Sequence, residues 1–215
     1  MNEGNLRKQL VDVALALTRL GLNRGTSGNV GMRCGEGLLV TPTGMSAEEM
    51  TASDIVLMDF HGSWRGDRRP SSEWRFHRDI LVSRPEVNAV IHTHSTFATT
   101  LACLERDVPA FHYMIAAAGG KTIRCAPYAT FGTQLLSDYA LQALDGRKAC
   151  LLGHHGMIVV GDTLKSALAL AVEVESLCEQ YWRVLQIGEP ALLPDAEMDV
   201  VLKKFMHYGK PDQPD

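Results

Sequence analysis

Residues 89–96, AVIHTHST, end an apolar run in two imidazoles one residue apart. In a strand, successive side chains point to opposite faces, so His92 and His94 project side by side from one face. That is the geometry of two ligands reaching for one ion. A fold that uses them this way must bring further ligands to the same point from elsewhere in the chain.

Composition limits where those ligands can come from. The 215 residues suit one compact domain, and 46% hydrophobic with 21% charged residues is the balance of a globular protein with a sizeable core. A net charge of −4 and a pI near 6.1 argue against a surface built for nucleic acid or anionic membrane. No apolar run is long enough to span a bilayer, and the opening MNEGNLRKQL is polar and mixed in charge, unlike a secretory signal. Five scattered cysteines without a C-x-x-C pair fit reduced thiols in a cytoplasm, the expected location. Any metal must then be held by histidine and carboxylate.

Leu6, Leu10, Val13, Leu17 and Leu20 recur at steps of four and three, which predicts an N-terminal amphipathic helix. RGTSGNVGMR reads as a glycine-rich turn, followed by a strand LLVT, a turn PTGM, a strand DIVLMDF and a polar loop HGSWRGDRRP. The next helix is expected in SSEWRFHRDILVS, with Ser71 or Ser72 as its cap and Glu73 in its first turn. Helices are also expected over 95–104, 134–144 and 163–186, and in DAEMDVVLKKFMHYG, with apolar segments KACLLGHH and MIVVG joined around Gly156. No repeat or linker divides the chain, so residues 1–215 read as one domain. Alternating strands and helices give an α/β class, and short strand–strand connections argue for a mixed sheet rather than a purely parallel one.

A third ligand is offered by LLGHHGMIVV. His154 and His155 are adjacent, so in an extended chain at most one of them can join His92 and His94, and the pattern does not choose between them. Glu73 is the candidate carboxylate, although a glutamate in a first helical turn serves equally to complement the helix dipole. Catalytic zinc sites use three protein ligands of this type and keep one position open or exchangeable. His61, His77 and His207 read as solvated or structural.

Three further segments share the chemistry of anion binding: GTSGN at 25–29, TPTG at 41–44 and PSSE at 70–73. Glycine admits close approach of backbone N–H groups, and hydroxyl and amide side chains add donors. Each alone is an ordinary turn, and none has the context of a P-loop or dinucleotide fingerprint. The third runs directly into Glu73, so a phosphate held there would lie close to any ion that Glu73 touches. A small phosphorylated substrate that also chelates the metal is the ligand this arrangement suits.

In order and spacing, GLNRGTSGNV, TPTGM, SSEWRFH, IHTHS, HYMIAAAGG, APYATFGT and LLGHHG resemble the zinc-dependent class II aldolases of the L-fuculose-1-phosphate aldolase type, over about residues 6–208. The resemblance implies the class II aldolase/adducin-like fold, a single domain with a mixed, largely antiparallel central sheet and helices on both faces. It makes His92, His94 and His155 the ligands of one Zn2+ per subunit, with Mn2+ or Co2+ as possible substitutes, and leaves His154 facing away. Glu73 becomes the fourth, exchangeable ligand. Thr26, Gly28, Asn29, Thr43, Gly44, Ser71 and Ser72 match the phosphate pocket. Tyr113 matches a tyrosine delivered by a neighbouring subunit of a cyclic tetramer, so a homotetramer with active sites at its interfaces is expected. Phe131 and Tyr208 correspond to the aldehyde side, while the final GKPDQPD departs from the family's C-terminal segment.

The implied reaction is reversible cleavage of a ketose 1-phosphate, L-fuculose 1-phosphate or a related deoxyketose 1-phosphate, to dihydroxyacetone phosphate and an aldehyde through a zinc-stabilised enediolate. Glu73 would exchange the proton at carbon and Tyr113 the proton at the aldehyde oxygen. Alternatives are an aldolase for 5-deoxyribulose 1-phosphate or 5-methylthioribulose 1-phosphate, a pentulose-phosphate 4-epimerase, or a non-catalytic adducin-like scaffold. A cupin-type oxygenase also uses H-x-H but expects a glutamate a few residues later, and here the first acidic residue after His94 is Glu105.

Overall fold

The computed structural model describes residues 2–207. The chain runs through helix α1 (Glu3–Arg19), strands β1 (Asn29–Cys34), β2 (Gly37–Val40) and β3 (Val56–Asp59), α2 (Trp74–Ser83), β4 (Ala89–Thr93) and α3 (Thr96–Ala102). A short 3-10 helix, Tyr113–Ala118, leads into β5 (Arg124–Ala126), α4 (Gln134–Leu144), β6 (Ala149–Leu152), β7 (Gly156–Gly161), α5 (Leu164–Ile187) and α6 (Asp195–His207). The seven strands form one sheet in the order β3-β2-β1-β4-β7-β6-β5. Neighbours pair antiparallel throughout, except for the parallel β5–β6 pair. This is the mixed, largely antiparallel sheet expected.

Helices cover both faces. On one, Ala89 and Ile91 of β4 join Val30, Met157 and Val159 against Leu10 and Leu17 of α1, Leu101 of α3 and Val174 and Leu177 of α5. On the other, Val90, Ile158 and Val160 meet Phe76, Ile80 and Leu81 of α2 and Leu136, Ala140 and Leu144 of α4. A strand covered on both sides has no reason to alternate, and all five residues of β4 are buried. His92 follows the parity of Val90, so its ring turns toward α2, where Phe76 meets it edge-on with centroids 5.4 Å apart. No helix among the described residues is long and apolar enough to cross a membrane.

Three local expectations are corrected. Leu20 lies past the end of α1 and is exposed, so the apolar stripe ends at Leu17. Helix α2 opens at Trp74, neither serine caps it, and Glu73 occupies the cap position without a side-chain cap bond. The third correction is the largest. Residues 29–33, read as part of a turn, belong to β1, which is paired by β2 on one side and β4 on the other.

Gly31 explains why that strand looked like a turn. A Cβ built on it would come within 2.6 Å of Nδ1 of His77, whose ring is fully buried across the strand. Glycine stands here for close approach, not for chain reversal. Gly31→Ala is therefore expected to destabilise the fold by about 1–3 kcal/mol through overpacking, read as a lower urea midpoint with an unchanged slope. An unchanged midpoint would show that the ring can move aside without cost.

Candidate active site

Residues from three distant parts of the chain meet at one end of the central strands. His92 is the penultimate residue of β4, His94 lies just beyond the strand, His155 sits in the turn between β6 and β7, and Glu73 immediately precedes α2. Their potential ligand atoms all lie within 4.8 Å of one another. The three rings form a closed triangle, with centroids 4.7–4.8 Å apart and planes inclined at 72–73° pairwise. His92 Nδ1 is 2.9 Å from the Met157 carbonyl oxygen, so Nδ1–H donates there and the Nε2 lone pair faces the centre.

The donor set fits a divalent cation. Nε2 of His92 and Nε2 of His94 are 2.9 Å apart, a contact that needs a proton or cation between two lone pairs. Glu73 Oε1 is 3.1 Å from His155 Nε2 yet is buried without a hydrogen bond. A carboxylate and three imidazoles at such spacing are the ligand types of a catalytic metal site with an exchangeable position. Burial opposes charge on Glu73, but the His92 and His155 imidazoles against it outweigh burial and hold its carboxyl well below the usual carboxylate range. Partial removal from solvent, with repulsion from His92 and His155 added, pushes His94 down to about 4, which favours the neutral ligand form.

The HH pair resolves for a reason outside the extended-chain premise. Residues 153–155 are a turn, and His154 adopts a left-handed backbone, φ 53°. That single residue rotates His155 into the triangle and leaves His154 outside it, with Nε2 3.7 Å from Glu105 Oε1. His154 is not remote, since it lines the same cavity.

That cavity, of about 330 Å³, brings together the three segments expected to bind an anion. Thr26, Gly28, Asn29, Thr43, Gly44, Ser71 and Ser72 all line it, next to Glu73, His94 and His155, and Phe131 lines it too. Backbone bonds lock the segments to one another: Ser71 N donates to Thr41 O at 2.9 Å, Thr43 N to Arg69 O at 3.1 Å and Thr41 N to Val30 O at 3.0 Å. Gly28 has φ 74°, and a Cβ there would strike the buried Asn23 side chain at 2.3 Å, so glycine is required on both counts.

Tyr113 is placed elsewhere. It is half exposed and lines a separate apolar groove with Phe111, Met114, Leu193 and Phe205, outside the cavity of its own chain. Tyr208 lies outside the described residues. Several residues of the site were missed in the sequence. Tyr128 and Ala129 line the cavity beside Phe131, and APYATFG was the available signal. Glu175 of α5 caps α3 just after His94, accepting from Ser95 Oγ at 2.7 Å, Phe97 N at 2.8 Å and Ala98 N at 2.9 Å. His77, expected to be solvated or structural, is wholly buried, and burial, with His92 adding repulsion, pushes it down to about 3. Its Nε2 lies 2.5 Å from Asn29 Oδ1, and Asn29 Nδ2 donates to Glu73 Oε2 at 2.9 Å.

The mixed α/β sheet thus sets a carboxylate and three imidazoles able to hold a metal ion beside a cavity lined by glycine- and hydroxyl-bearing turns. Residues 8–182 match the model of the class II aldolase and adducin N-terminal domain. The chain is 61% identical over 204 residues to the 5-methylthioribulose-1-phosphate/5-deoxyribulose-1-phosphate aldolase of Rhodospirillum rubrum, covering 95% of this chain and 92% of that one. It is 50% identical over 210 residues to the L-fuculose phosphate aldolase of Escherichia coli K12, covering 97% and 98%. A solved L-fuculose 1-phosphate aldolase superposes with a TM-score of 0.91 at 40% identity, over 94% of this chain and 96% of that one. The chain belongs to the class II aldolase family, and it is an enzyme, an aldolase.

Proposed function

We propose that this aldolase cleaves 5-methylthioribulose 1-phosphate or 5-deoxyribulose 1-phosphate between the third and fourth carbons, giving dihydroxyacetone phosphate and a short aldehyde. The observation that carries the choice is the 61% identity to a relative of that name, against 50% to the L-fuculose phosphate aldolase. L-Fuculose 1-phosphate, the first expectation from the sequence, therefore takes second place. The apolar part of the cavity wall, Tyr128, Ala129 and Phe131, is compatible with this choice, although L-fuculose 1-phosphate also ends in a methyl group. It suits a methyl or methylthio group, and sulfur packs favourably against aromatic edges.

In this reading His92, His94 and His155 hold one zinc ion, with Glu73 as the exchangeable fourth ligand. When bound, zinc would supply Lewis-acid stabilisation of the negative charge that develops on the ketone oxygen. The turns at 25–29, 41–44 and 70–73 grip the phosphate, and that remote binding energy fixes the third carbon near Glu73. Glu73 delivers a proton to the third carbon in cleavage and removes it in the aldol direction. Tyr113 from a neighbouring copy of the chain takes the proton of the fourth-carbon hydroxyl, which accounts for its exposure outside its own cavity. That role requires an oligomer with sites at its interfaces, for which the homotetramer expected from the sequence is our reading.

A panel of ketose 1-phosphates differing only beyond the fourth carbon tests the choice. Dihydroxyacetone phosphate release is followed with a coupled glycerol-phosphate dehydrogenase. The 5-methylthio or 5-deoxy substrate is expected to exceed L-fuculose 1-phosphate in kcat/KM by about 10-fold or more, the scale on which apolar pockets discriminate. A preference for L-fuculose 1-phosphate would reverse the assignment, and interconversion of pentulose phosphates without triose release would make the enzyme an epimerase.

A further inference from the structure

We propose that His77, acting through Asn29, is a positioning residue that fixes the Glu73 carboxylate so that its proton is exchanged at Oε1. The inference rests on the reading of Glu73 as the acid–base group and assigns the atom and its support.

Three elements build the relay. Glu73 and His77 are four residues apart at the start of α2 and so share a face. Asn29 opens β1 directly opposite His92 of β4. The Asn29 amide bridges the two side chains, with Oδ1 2.5 Å from His77 Nε2 and Nδ2 2.9 Å from Glu73 Oε2. All three residues are buried.

Chemistry fixes each orientation. Asn29 Oδ1 only accepts, so His77 Nε2 must carry the ring proton. His77 Nδ1 is buried without a partner and pressed over Gly31, where a proton would be an unsatisfied donor. His77 is thus held as one neutral tautomer, and that tautomer holds the amide. A flipped amide would set Oδ1 against the Glu73 carboxylate and its N–H against the His77 N–H. The two carboxylate oxygens consequently differ. Oε2 is engaged by Asn29, whereas Oε1 has no hydrogen-bond donor. A proton on Oε2 would weaken the Asn29 bond, while one on Oε1 leaves it intact.

Two readouts test the relay. In 15N-labelled, metal-free protein, His77 is expected to give the pattern of a neutral ring protonated at Nε2, with slow solvent exchange. In the metal-loaded enzyme, His77→Phe is expected to lower kcat about 10- to 100-fold, the usual cost of losing such a supporting bond, while metal content and KM change little. His77→Gln, whose amide N–H reaches the same oxygen, is expected to restore most of kcat. A ring protonated at Nδ1 overturns the proposal, as does wild-type turnover in His77→Phe or an equal loss in the Phe and Gln variants. Should His77→Phe fail to fold, the tautomer and the glutamine variant still decide. Glu73→Gln is the control. If it turns over normally, the acid–base reading falls and the relay with it. If it is inactive while His77→Phe works, the relay alone falls.

Discussion

Replacing Glu73 by glutamine is expected to lower kcat by about 10²- to 10⁴-fold, the range that a positioned acid–base group supplies, while the chain keeps its metal. Glutamine preserves shape, and its carbonyl can still accept from Asn29 Nδ2, so the packing between β1 and α2 is undisturbed. What it loses is the ability to exchange a proton. In the native site that carboxylate is 6% exposed and held ionised by the imidazoles around it, so the change removes a charge the surroundings are built to hold. Three imidazoles would remain as ligands, the number a catalytic zinc site requires. Metal per chain, measured by elemental analysis, should therefore stay close to the wild-type value. A half-reaction separates chemistry from product release. In deuterated water the wild-type enzyme should exchange the third-carbon proton of dihydroxyacetone phosphate, and Glu73→Gln should not. Near wild-type turnover or exchange in this variant would remove Glu73 from the mechanism.

How far the sequence revealed this site depended on whether neighbours along the chain or neighbours in space carried the signal. Helices α1, α4 and α5 announced themselves because their apolar stripes repeat with the helical period, and β4 because burial on both faces leaves a continuous apolar run. Strand β1 did not. NVGMRC has a glycine where a strand prefers a β-branched residue, and its strand state comes from pairing on both edges. The same division holds for the site. His92 and His94 were readable as a pair because a single residue separates them, and the rings do lie side by side. The link from His77 through Asn29 to Glu73 joins residues 48 and 44 positions apart, and that from Glu175 to Ser95 spans 80. Such contacts exist only after the sheet has closed. The choice between His154 and His155 turned on one left-handed residue, a conformation no period in the sequence encodes.

That choice makes the second large prediction. His155→Ala is expected to release the metal and to lower activity by more than about 100-fold, whereas His154→Asn should retain the metal, because outer groups cost about 10- to 100-fold at most and ligands more. Removing His155 opens one side of the ring triangle and leaves two imidazoles and a carboxylate. On the proposed mechanism that carboxylate is the exchangeable ligand, so only two fixed ligands would hold a metal once substrate binds. His154 contributes no atom to that triangle. Asparagine tolerates the left-handed backbone at 154 better than most residues, so the substitution keeps the turn that aims His155. The metal itself can be withdrawn in the same experiment: a chelator should abolish wild-type activity and added zinc restore it, with His155→Ala not rescued at the same zinc concentration. Full metal content in His155→Ala with loss in His154→Asn would exchange the roles of the two histidines. Undiminished turnover by metal-free wild-type protein would contradict the metal-assisted scheme as a whole.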